Sequence, residues 1–214
     1  MTIVPEKTPS VAIEDVLWAA GARHLAGIDE AGRGAWAGPV VAAAVILDPV
    51  RLGRLGACVF DSKLLTAPQR ANAAKVIRDE ALAVGVGTVP VEVIDHAGLA
   101  FAGQLAFWRA VKELNPEPDF LLVDGFQLWS NAYRQAAVLQ GDRQSLSVAA
   151  ASIIAKVSRD EFMRDLEEST PGYGFARHKG YGSPAHRLAL DEKGVSAHHR
   201  RSFRPIATRI MARP

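Results

Sequence analysis

The sequence predicts an α/β fold built on a single sheet. Short apolar stretches that end near acids or glycines alternate with longer segments whose apolar residues recur every three or four positions. Because such strands and helices intermix along the chain, one sheet with helices packed on it is favoured over separate all-helical and all-strand units. The 214 residues, 49% of them hydrophobic and 22% charged, are enough to build the core of such a fold.

Five segments have the short, apolar character of strands. Residues 25–30 are apolar until two terminal acids, and a glycine-containing stretch separates them from the valine-rich residues 40–47. Further along, glycine alternates with apolar residues, and two more short apolar runs end at Asp124 and just before Gly141. The predicted strands are residues 25–30, 40–47, 84–91, 120–124 and 136–140.

Four longer segments are predicted to be helices. Thr66 is a suitable N-cap, and Pro68 falls in the first turn, where a missing N–H costs little. A second helix is expected to end before Pro116. The longest helix contains apolar residues at i, i+3, i+4 and i+7 counted from Ala150. The predicted helices are one that begins at Thr66 and three over residues 99–114, 147–168 and 185–193.

The last part of the chain differs from the rest in texture and charge. Past Pro171, glycine, histidine and arginine become frequent, and from Arg177 onward nine Lys and Arg residues stand against two acids. The whole chain carries +2, so this +7 segment leaves −5 on the remainder. A basic segment on a mildly acidic body suits a polyanionic partner. We predict one domain overall, with a core over residues 1–170 and a basic C-terminal extension over residues 171–214 packed on it.

Several protein classes are disfavoured by the composition. The longest apolar run, residues 35–47, is far short of the roughly 20 residues that cross a bilayer. The first residues lack the pattern of a secretory signal. A single cysteine, Cys58, excludes an internal disulfide and suits a reducing compartment, and it is expected in the core. We expect a cytoplasmic, monomeric protein without a membrane segment.

Acidic residues follow several predicted strands at glycine-containing turns. Asp29 and Glu30 end the first strand, Asp124 ends the fourth, and Asp142 follows the fifth. Ligands of open α/β sheets gather at strand ends, so these carboxylates are expected to converge if the strands are neighbours. Carboxylates that lie close together repel one another, and divalent cations relieve that repulsion. Oxygen ligands without a suitable cysteine or histidine pair favour Mg²⁺ or Mn²⁺ over Zn²⁺.

A geometric condition applies to Asp29 and Glu30. Adjacent residues on a regular strand point to opposite faces of the sheet, so both side chains cannot face one ion there. The strand is therefore expected to bend or end at Glu30, and Gly32 supplies the backbone freedom for the turn.

Taken together, the motifs resemble those of bacterial type 2 ribonuclease H, also called ribonuclease HII. The opening block Asp29-Glu-Ala-Gly-Arg-Gly34 is followed by Ala37-Gly-Pro-Val-Val-Ala-Ala-Ala-Val45. Each motif alone is weak, but their order from Leu25 to about Ile206 follows that of the family. The further motifs are Asp61-Ser-Lys63, Leu122-Val-Asp-Gly125, Gly141-Asp142, Ala149-Ala-Ala-Ser-Ile-Ile-Ala-Lys-Val157, His178-Lys-Gly-Tyr-Gly182 and His199-Arg-Arg-Ser-Phe203.

The resemblance implies an RNase H-like fold, with a mixed five-stranded sheet flanked by helices and a small helical C-terminal extension. It implies an endonuclease that hydrolyses RNA in RNA–DNA hybrids and incises 5′ to single ribonucleotides in duplex DNA, leaving 3′-hydroxyl and 5′-phosphate ends. Two divalent cations, Mg²⁺ or Mn²⁺, would serve this hydrolysis. As a hypothesis, Asp29 bridges the two cations, Glu30 and Asp124 complete one site, and Asp142 completes the other.

The same resemblance assigns recognition of the substrate. Gly32, Arg33 and Gly34 match the motif whose backbone reads the sugar, since glycine has no Cβ to obstruct a close approach. Tyr181 matches the tyrosine that packs near the RNA-to-DNA junction. Basic side chains would contact phosphates and position the duplex without reading its sequence. These candidates are Lys63, Lys179, Arg200, Arg201 and Arg204.

Several other residues are expected to have structural roles or differ from the family. Leu64 stands where a second lysine often follows in the family, and Trp36 is bulkier than many residues at its position. The spacing of the histidines fits no tight metal site, so structural or phosphate roles are favoured for His178, His186, His198 and His199. Three tryptophans are expected to pack in the core or between helices, namely Trp18, Trp108 and Trp129. Residues 206–214 contain no evident clamp-binding peptide.

Three other functions remain as alternatives at this point. Another metal nuclease, such as a structure-selective resolvase or an exonuclease, would use the same acidic chemistry, but the glycine-arginine-glycine loop and Tyr181 disfavour it. A nucleic-acid-binding module without catalysis is disfavoured because all four acids are present. A small-molecule phosphatase would not need the basic C-terminal segment.

Overall fold

A computed structural model describes residues 8–211, and the centre of the molecule is a five-stranded sheet. Its strands are β1 (Leu25–Ala31), β2 (Val40–Ile46), β3 (Ala83–Val89), β4 (Phe120–Asp124) and β5 (Arg134–Val138). The strand order is β3-β2-β1-β4-β5, with β1 antiparallel to β2 but parallel to β4. The predicted mixed five-stranded sheet is therefore confirmed.

Helices cover both faces of this sheet. They are α1 (Ala12–Ala19), α2 (Leu52–Gly56), α3 (Ala67–Glu80), α4 (Val91–Lys112), α5 (Leu146–Ser169), α6 (Phe175–His178), α7 (Pro184–Lys193) and α8 (Arg204–Met211). A single 3₁₀ turn spans Gly141–Arg143. No helix within residues 8–211 is long and apolar enough to cross a membrane.

The two faces of β2 explain the layering. Ala42 and Ala44 belong to a core that α4 closes with Phe107 and its apolar neighbours. Ala43 and Val45 point the other way, into a second core closed by α3 and α5. Because successive strand residues alternate between faces, a fully apolar strand such as β2 is buried on both sides.

Several predicted boundaries differ from the observed ones. The helix predicted over residues 99–114 corresponds to the second segment of α4, which follows the non-helical Gly98 (φ +83°) and ends at Lys112, whereas the first segment, which begins at Val91, was not predicted. The predicted strand over residues 136–140 is shifted to Arg134–Val138, and the one over residues 84–91 is shortened to Ala83–Val89.

Two aromatic expectations have different outcomes. Trp18 and Trp108 pack against apolar clusters, as predicted. The prediction for Trp129 was wrong, since 68% of this residue is exposed. Cys58 is half-buried against the core formed by α3 and α5.

The C-terminal segment is bonded to the loop that follows β1. The Trp36 N–H donates to the Gly180 carbonyl (2.8 Å), and the Arg200 N–H donates to the Trp36 carbonyl (2.8 Å). The Gly38 N–H donates to the carbonyl of His198 (2.9 Å). The loop between β1 and β2 is therefore attached to residues far away in sequence. We call residues 32–39 the glycine loop.

Candidate active site

The carboxyl ends of β1 and β4 bring two predicted acids together. These parallel strands pair from Leu25–Phe120 to Ile28–Val123. Asp29 and Asp124 are the next residues on the two strands, so their backbones are adjacent at the edge of the paired region. The convergence expected from strand ends therefore occurs for these two acids.

An open cavity of about 510 Å³ lies at this edge of the sheet. Every residue predicted for the site lines it except Asp142. The lining residues that were predicted are Asp29, Glu30, Gly32, Arg33, Gly34, Lys63, Asp124 and Tyr181. Asp142 is buried beside the cavity, where it accepts a 2.8 Å hydrogen bond from the ammonium of Lys63.

Asp29 is the most buried acid of the cavity wall, at 7% exposure. Its Oδ1 accepts the N–H of Glu30 (2.7 Å), and the Ser152 hydroxyl on α5 is a second hydrogen-bond partner. Burial raises the pKa of Asp29 well above its usual value, and the charges of Glu30 and Asp124 raise it further. Asp29 is therefore a carboxylate that a nearby cation would stabilise strongly.

Glu30 lies on the same cavity wall although its strand does not end there. The strand was expected to bend or end at Glu30, and it ends one residue later, since Glu30 and Ala31 still pair with Ala42 and Val41 on β2. The turn follows at Gly32, whose φ of +95° favours glycine. The expected turn residue is thus confirmed.

The cost of burying the Glu30 carboxylate is only partly offset by its polar contacts. Burial raises its pKa to about 6, while the guanidinium of Arg33, 3.4 Å from Glu30 Oε1, opposes that rise. The other oxygen, Oε2, is buried and has no hydrogen-bond partner among the described residues. A buried acceptor without a donor is unfavourable, and a cation ligated by Oε2 would remove this cost.

Asp124 and Asp142 have different hydrogen-bond partners. Asp124 Oδ1 accepts the N–H of Gly141 (2.6 Å), which opposes the rise in pKa that burial causes at Asp124. Asp142 instead faces Lys63, and the hydrogen bond between them raises the pKa of Lys63. A positive charge therefore already lies at the Asp142 carboxylate.

The carboxylates suit a divalent cation by chemistry, although they do not form a ready cage. Between residues 8 and 211, no three Asp, Glu, His or Cys side chains are arranged to hold one ion. The donor set near the cavity consists of hard carboxylate oxygens, which fits Mg²⁺ or Mn²⁺. Three of these acids have pKa values raised chiefly by burial, namely Asp29, Glu30 and Asp124. The residues present thus fit cation binding, with side-chain adjustment on binding.

Gly32, Arg33, Gly34 and Tyr181 line the same cavity as the acids. A Cβ placed on Gly34 would lie 3.9 Å from the Tyr181 ring, so the loop backbone and the ring are direct neighbours. Tyr181 is 43% exposed. The guanidinium of Arg33 lies 4.9 Å from the centre of the Phe126 ring, in addition to its contact with Glu30.

The basic candidates separate into exposed and buried groups. Lys63 has a side chain that is 71% exposed, and Arg201 and Arg204 are also exposed. The assignment of Arg200 to phosphate contact was wrong, because its side chain is fully buried and donates to main-chain carbonyls. Lys179 is half-buried, and its ammonium donates to the Ala176 carbonyl (2.7 Å).

Sequence reasoning missed several residues of the cavity. Ser62 and Ser152 share a 3.0 Å hydroxyl contact that connects the Asp61-Ser-Lys63 turn to α5. Both serines occur within quoted motifs, so the motif positions held the signal. Two basic residues on helices also line the cavity, namely Arg70 and Lys156. The spacing of residues along a helix did not show that these two face the site.

Two of the four histidines are engaged inside the protein, as the structural expectation required, whereas His178 and His198 are half-buried. His186 and His199 are fully buried, and their Nε2 atoms lie 3.0 Å apart. His186 Nδ1 lies 3.0 Å from the Tyr181 carbonyl, and His199 Nδ1 accepts the Ser196 N–H at 3.0 Å. The hydrogen bonds assign one proton to each ring, with His199 Nε2–H donating to His186 and His186 Nδ1–H donating to the carbonyl.

Trp36 packs between this histidine pair and the surface. Its ring lies 5.8 Å from that of His186, and the guanidinium of Arg187 lies 5.2 Å from the centre of the Trp36 ring. The bulk of Trp36 therefore fills the contact between the glycine loop and the segment that carries Tyr181.

Comparison with known families and proteins agrees with this geometry. The family model for ribonuclease HII matches residues 26–206. Ribonuclease HII of Chloroflexus aggregans is 49% identical over 201 residues, which cover 93% of this chain and 95% of that protein.

Solved structures give the same fold. The crystal structure of ribonuclease H2 from Pyrococcus horikoshii OT3 has a TM-score of 0.76 and 27% identity, covering 87% of this chain and 96% of that one. A crystal structure of Bst-RNase HIII in complex with Mn²⁺ has a TM-score of 0.70 and 22% identity, covering 89% of this chain and 70% of that one. At that identity, the second likeness shows the fold alone.

Proposed function

The chain belongs to the ribonuclease HII family of endoribonucleases that act on RNA–DNA hybrids, and we propose that it also incises duplex DNA 5′ to a single embedded ribonucleotide. One observation carries this proposal: the same cavity is lined by acids suited to divalent cations and by a glycine loop beside an exposed tyrosine. The acids suit phosphodiester hydrolysis. The loop and the tyrosine suit detection of the 2′-hydroxyl, the group that distinguishes RNA from DNA.

The cations are assigned to the four acids. Glu30 and Asp124 would hold one ion and Asp142 the other, with Asp29 shared between them. Mg²⁺ and Mn²⁺ both fit the oxygen donors. When bound, such cations provide an activated water and stabilise the departing oxygen, which yields a 3′-hydroxyl and a 5′-phosphate.

The chain's own residues prepare these acids. The Ser152 hydroxyl and the Glu30 N–H fix the carboxylate of Asp29, and the Gly141 N–H fixes that of Asp124. Lys63 neutralises Asp142. The exposed ammonium of Lys63 would also suit contact with a substrate phosphate.

Recognition of the ribose is assigned to backbone groups of Gly32–Gly34 and to the ring of Tyr181. A 2′-oxygen can approach Gly34 closely because this residue carries no Cβ, whereas the Cβ side of Gly32 is occupied by the guanidinium of Arg159. The Tyr181 ring would pack on the neighbouring deoxyribose, where an added hydroxyl would be crowded. These two contacts together would select a ribonucleotide followed by DNA.

Basic residues beyond residue 171 would follow the phosphate backbone of either substrate. Arg201 and Arg204 are exposed and suited to this role. Contacts of this kind release counterions, so duplex affinity should fall steeply with added salt. A weak salt response would contradict a broad basic contact surface.

Substitution of Asp124 tests the catalytic assignment. With Mg²⁺, Asp124→Asn should lose nearly all cleavage of both an RNA–DNA hybrid and a duplex with one ribonucleotide, because the amide removes a negative ligand. Asp119→Asn, outside the cavity, is the control. Near-native cleavage by Asp124→Asn would contradict the assignment.

Substitution of Tyr181 separates sugar reading from hydrolysis. Tyr181→Ala should lose incision at a single ribonucleotide much more than it loses duplex binding, whereas Tyr181→Phe, which keeps the ring, should retain incision. Rates and binding are measured on the same labelled duplex. Equal losses of incision and binding in Tyr181→Ala would count against the sensor role.

A further inference from the structure

The glycine loop rests on two arginines whose side chains are buried. Arg159 on α5 is 1% exposed, and Arg200 is fully buried. Neither guanidinium forms an ion pair with a carboxylate in the described part of the chain. All of their hydrogen bonds go to main-chain carbonyls of the loop. Burying a cation without a carboxylate partner is costly, so we expect the guanidinium groups of these two arginines to have a specific role.

We propose that Arg159 and Arg200 are positioning residues that set the backbone of the glycine loop for ribose recognition, an inference that rests on the proposed function. Neither side chain would touch the substrate. Each would act by fixing the orientation of peptide groups or rings that do.

Arg200 fixes the peptide that joins Arg33 to Gly34. One terminal nitrogen of Arg200 donates to the Arg33 carbonyl at 2.8 Å. In a planar trans peptide the N–H points away from the C=O, so the Gly34 N–H is directed away from the buried arginine. Gly34 lines the cavity, and its N–H donates to no group among residues 8–211. That N–H is therefore free to donate to a ribose 2′-oxygen.

Arg159 fixes the distance between the loop and Tyr181. A Cβ placed on Gly32 would lie 2.0 Å from Arg159 Nε, so the guanidinium lies directly against the Gly32 backbone. The same guanidinium lies 5.5 Å from the centre of the Tyr181 ring. It also donates to the carbonyls of Pro39 (3.0 Å) and Ala37 (3.2 Å). Arg159 thus contacts both parts of the proposed ribose-binding site, the glycine loop and Tyr181.

Lysine cannot replace either arginine in this geometry. The planar fork of arginine directs several N–H groups at once, whereas a lysine ammonium is a single point of charge on a flexible stem. Burial, and then the charge of Arg159, lower the pKa of Arg200 to about 9, so Arg200 keeps its donors at neutral pH. Arg→Lys variants therefore remove the fork, and burial also lowers the pKa of the lysine amine.

The test compares Arg200→Lys and Arg159→Lys with wild type and with Arg164→Lys, a control on α5 whose side chain is 59% exposed. Hydrogen exchange of the peptide over residues 31–40 reports whether the loop is held. Incision of a duplex with one ribonucleotide is compared with cleavage of an RNA–DNA hybrid, and the affinity for the first duplex is measured separately. Thermal unfolding identifies variants that do not fold.

Both variants should accelerate exchange of the loop and lower kcat on the single-ribonucleotide duplex by about 10- to 100-fold, the scale of a misplacement near 1 Å. Binding should stay within about twofold, because the phosphate contacts are unchanged. Unchanged exchange, or an unchanged kcat on the single-ribonucleotide duplex, would overturn the inference.

Two further outcomes are distinguishable. If wild type does not incise at a single ribonucleotide, the proposed function fails, while loop exchange still decides whether the arginines hold the loop. If neither lysine variant folds, hydrogen exchange of the glycine-loop amides in wild type tests the inference instead. The Trp36 and Gly38 amides should then exchange as slowly as those of β2, and fast exchange would overturn the inference.

Discussion

Acidification should destabilise the protein through the buried pair His186 and His199. Each ring carries one proton and is neutral in the hydrogen-bond chain that ends on the Tyr181 carbonyl. Burial lowers the pKa of His186 to about 4 and that of His199 to about 3. In the unfolded chain both would titrate near their usual pKa of about 6.5.

These pKa values determine the direction and the size of the change in the free energy of unfolding. Between about pH 6.5 and the folded pKa values, the unfolded chain binds more protons than the folded one, so the free energy of unfolding falls as the pH falls. At about pH 5 the loss is about 2 kcal/mol for each histidine, and it depends only on the folded pKa lying well below 5. Above about pH 7 both states are neutral at these positions, and this loss is absent.

The assay is denaturant unfolding as a function of pH for wild type and His199→Gln, with the exposed His96→Gln as the control. The raised pKa of Glu30, about 6, works in the opposite direction, so the histidine effect is read from the difference between wild type and variant. The stability advantage of wild type over His199→Gln should shrink by about 2 kcal/mol between about pH 7.5 and 5. A difference that does not change with pH would refute the reasoning.

Two other substitutions test packing and charge. Gly27→Ala should lower the free energy of unfolding by about 1–3 kcal/mol, because its Cβ would lie 2.2 Å from the Ser147 carbonyl carbon, whereas Gly53→Ala, with open space around it, is the control. An unchanged denaturation midpoint for Gly27→Ala would show that β1 and α5 are less tightly packed than described. Lys63→Ala should lower the free energy of unfolding by about 1–3 kcal/mol, since it leaves the buried Asp142 carboxylate without its partner, and should reduce the salt dependence of hybrid binding by about one counterion. An unchanged salt slope would remove Lys63 from the phosphate contacts.

The sheet and its acids were predictable because they depend on local patterns. Short apolar runs ending on Asp29 and Asp124 identified two strands and the edge where their side chains meet. The single-sheet α/β class and the five strands followed from the pattern, while the mixed strand direction came from the family resemblance. The first segment of α4, which begins at Val91, was missed because the non-helical Gly98 separates it from the predicted helix that follows.

The supports of the glycine loop were not predictable from spacing. Arg200 lies in a basic stretch whose charge pattern indicated phosphate contact, yet tertiary contacts bury it against carbonyls more than 160 residues earlier in the chain. Arg159 lies on α5 between exposed and buried positions, and no local motif announces an arginine that donates only to main-chain carbonyls. Long-range contacts of this kind become visible only in three dimensions.

The central claim is that acids distant in sequence form one cation site beside a loop that reads the sugar. It is tested most directly by a crystal structure with Mn²⁺ and a duplex that carries one ribonucleotide, using the anomalous signal of the metal. The proposed geometry predicts Mn²⁺ ligated by Asp29, Glu30 and Asp124, with the ribose 2′-oxygen against the backbone of Gly32–Gly34. Mn²⁺ bound away from these carboxylates, or a ribose placed away from the glycine loop, would contradict it.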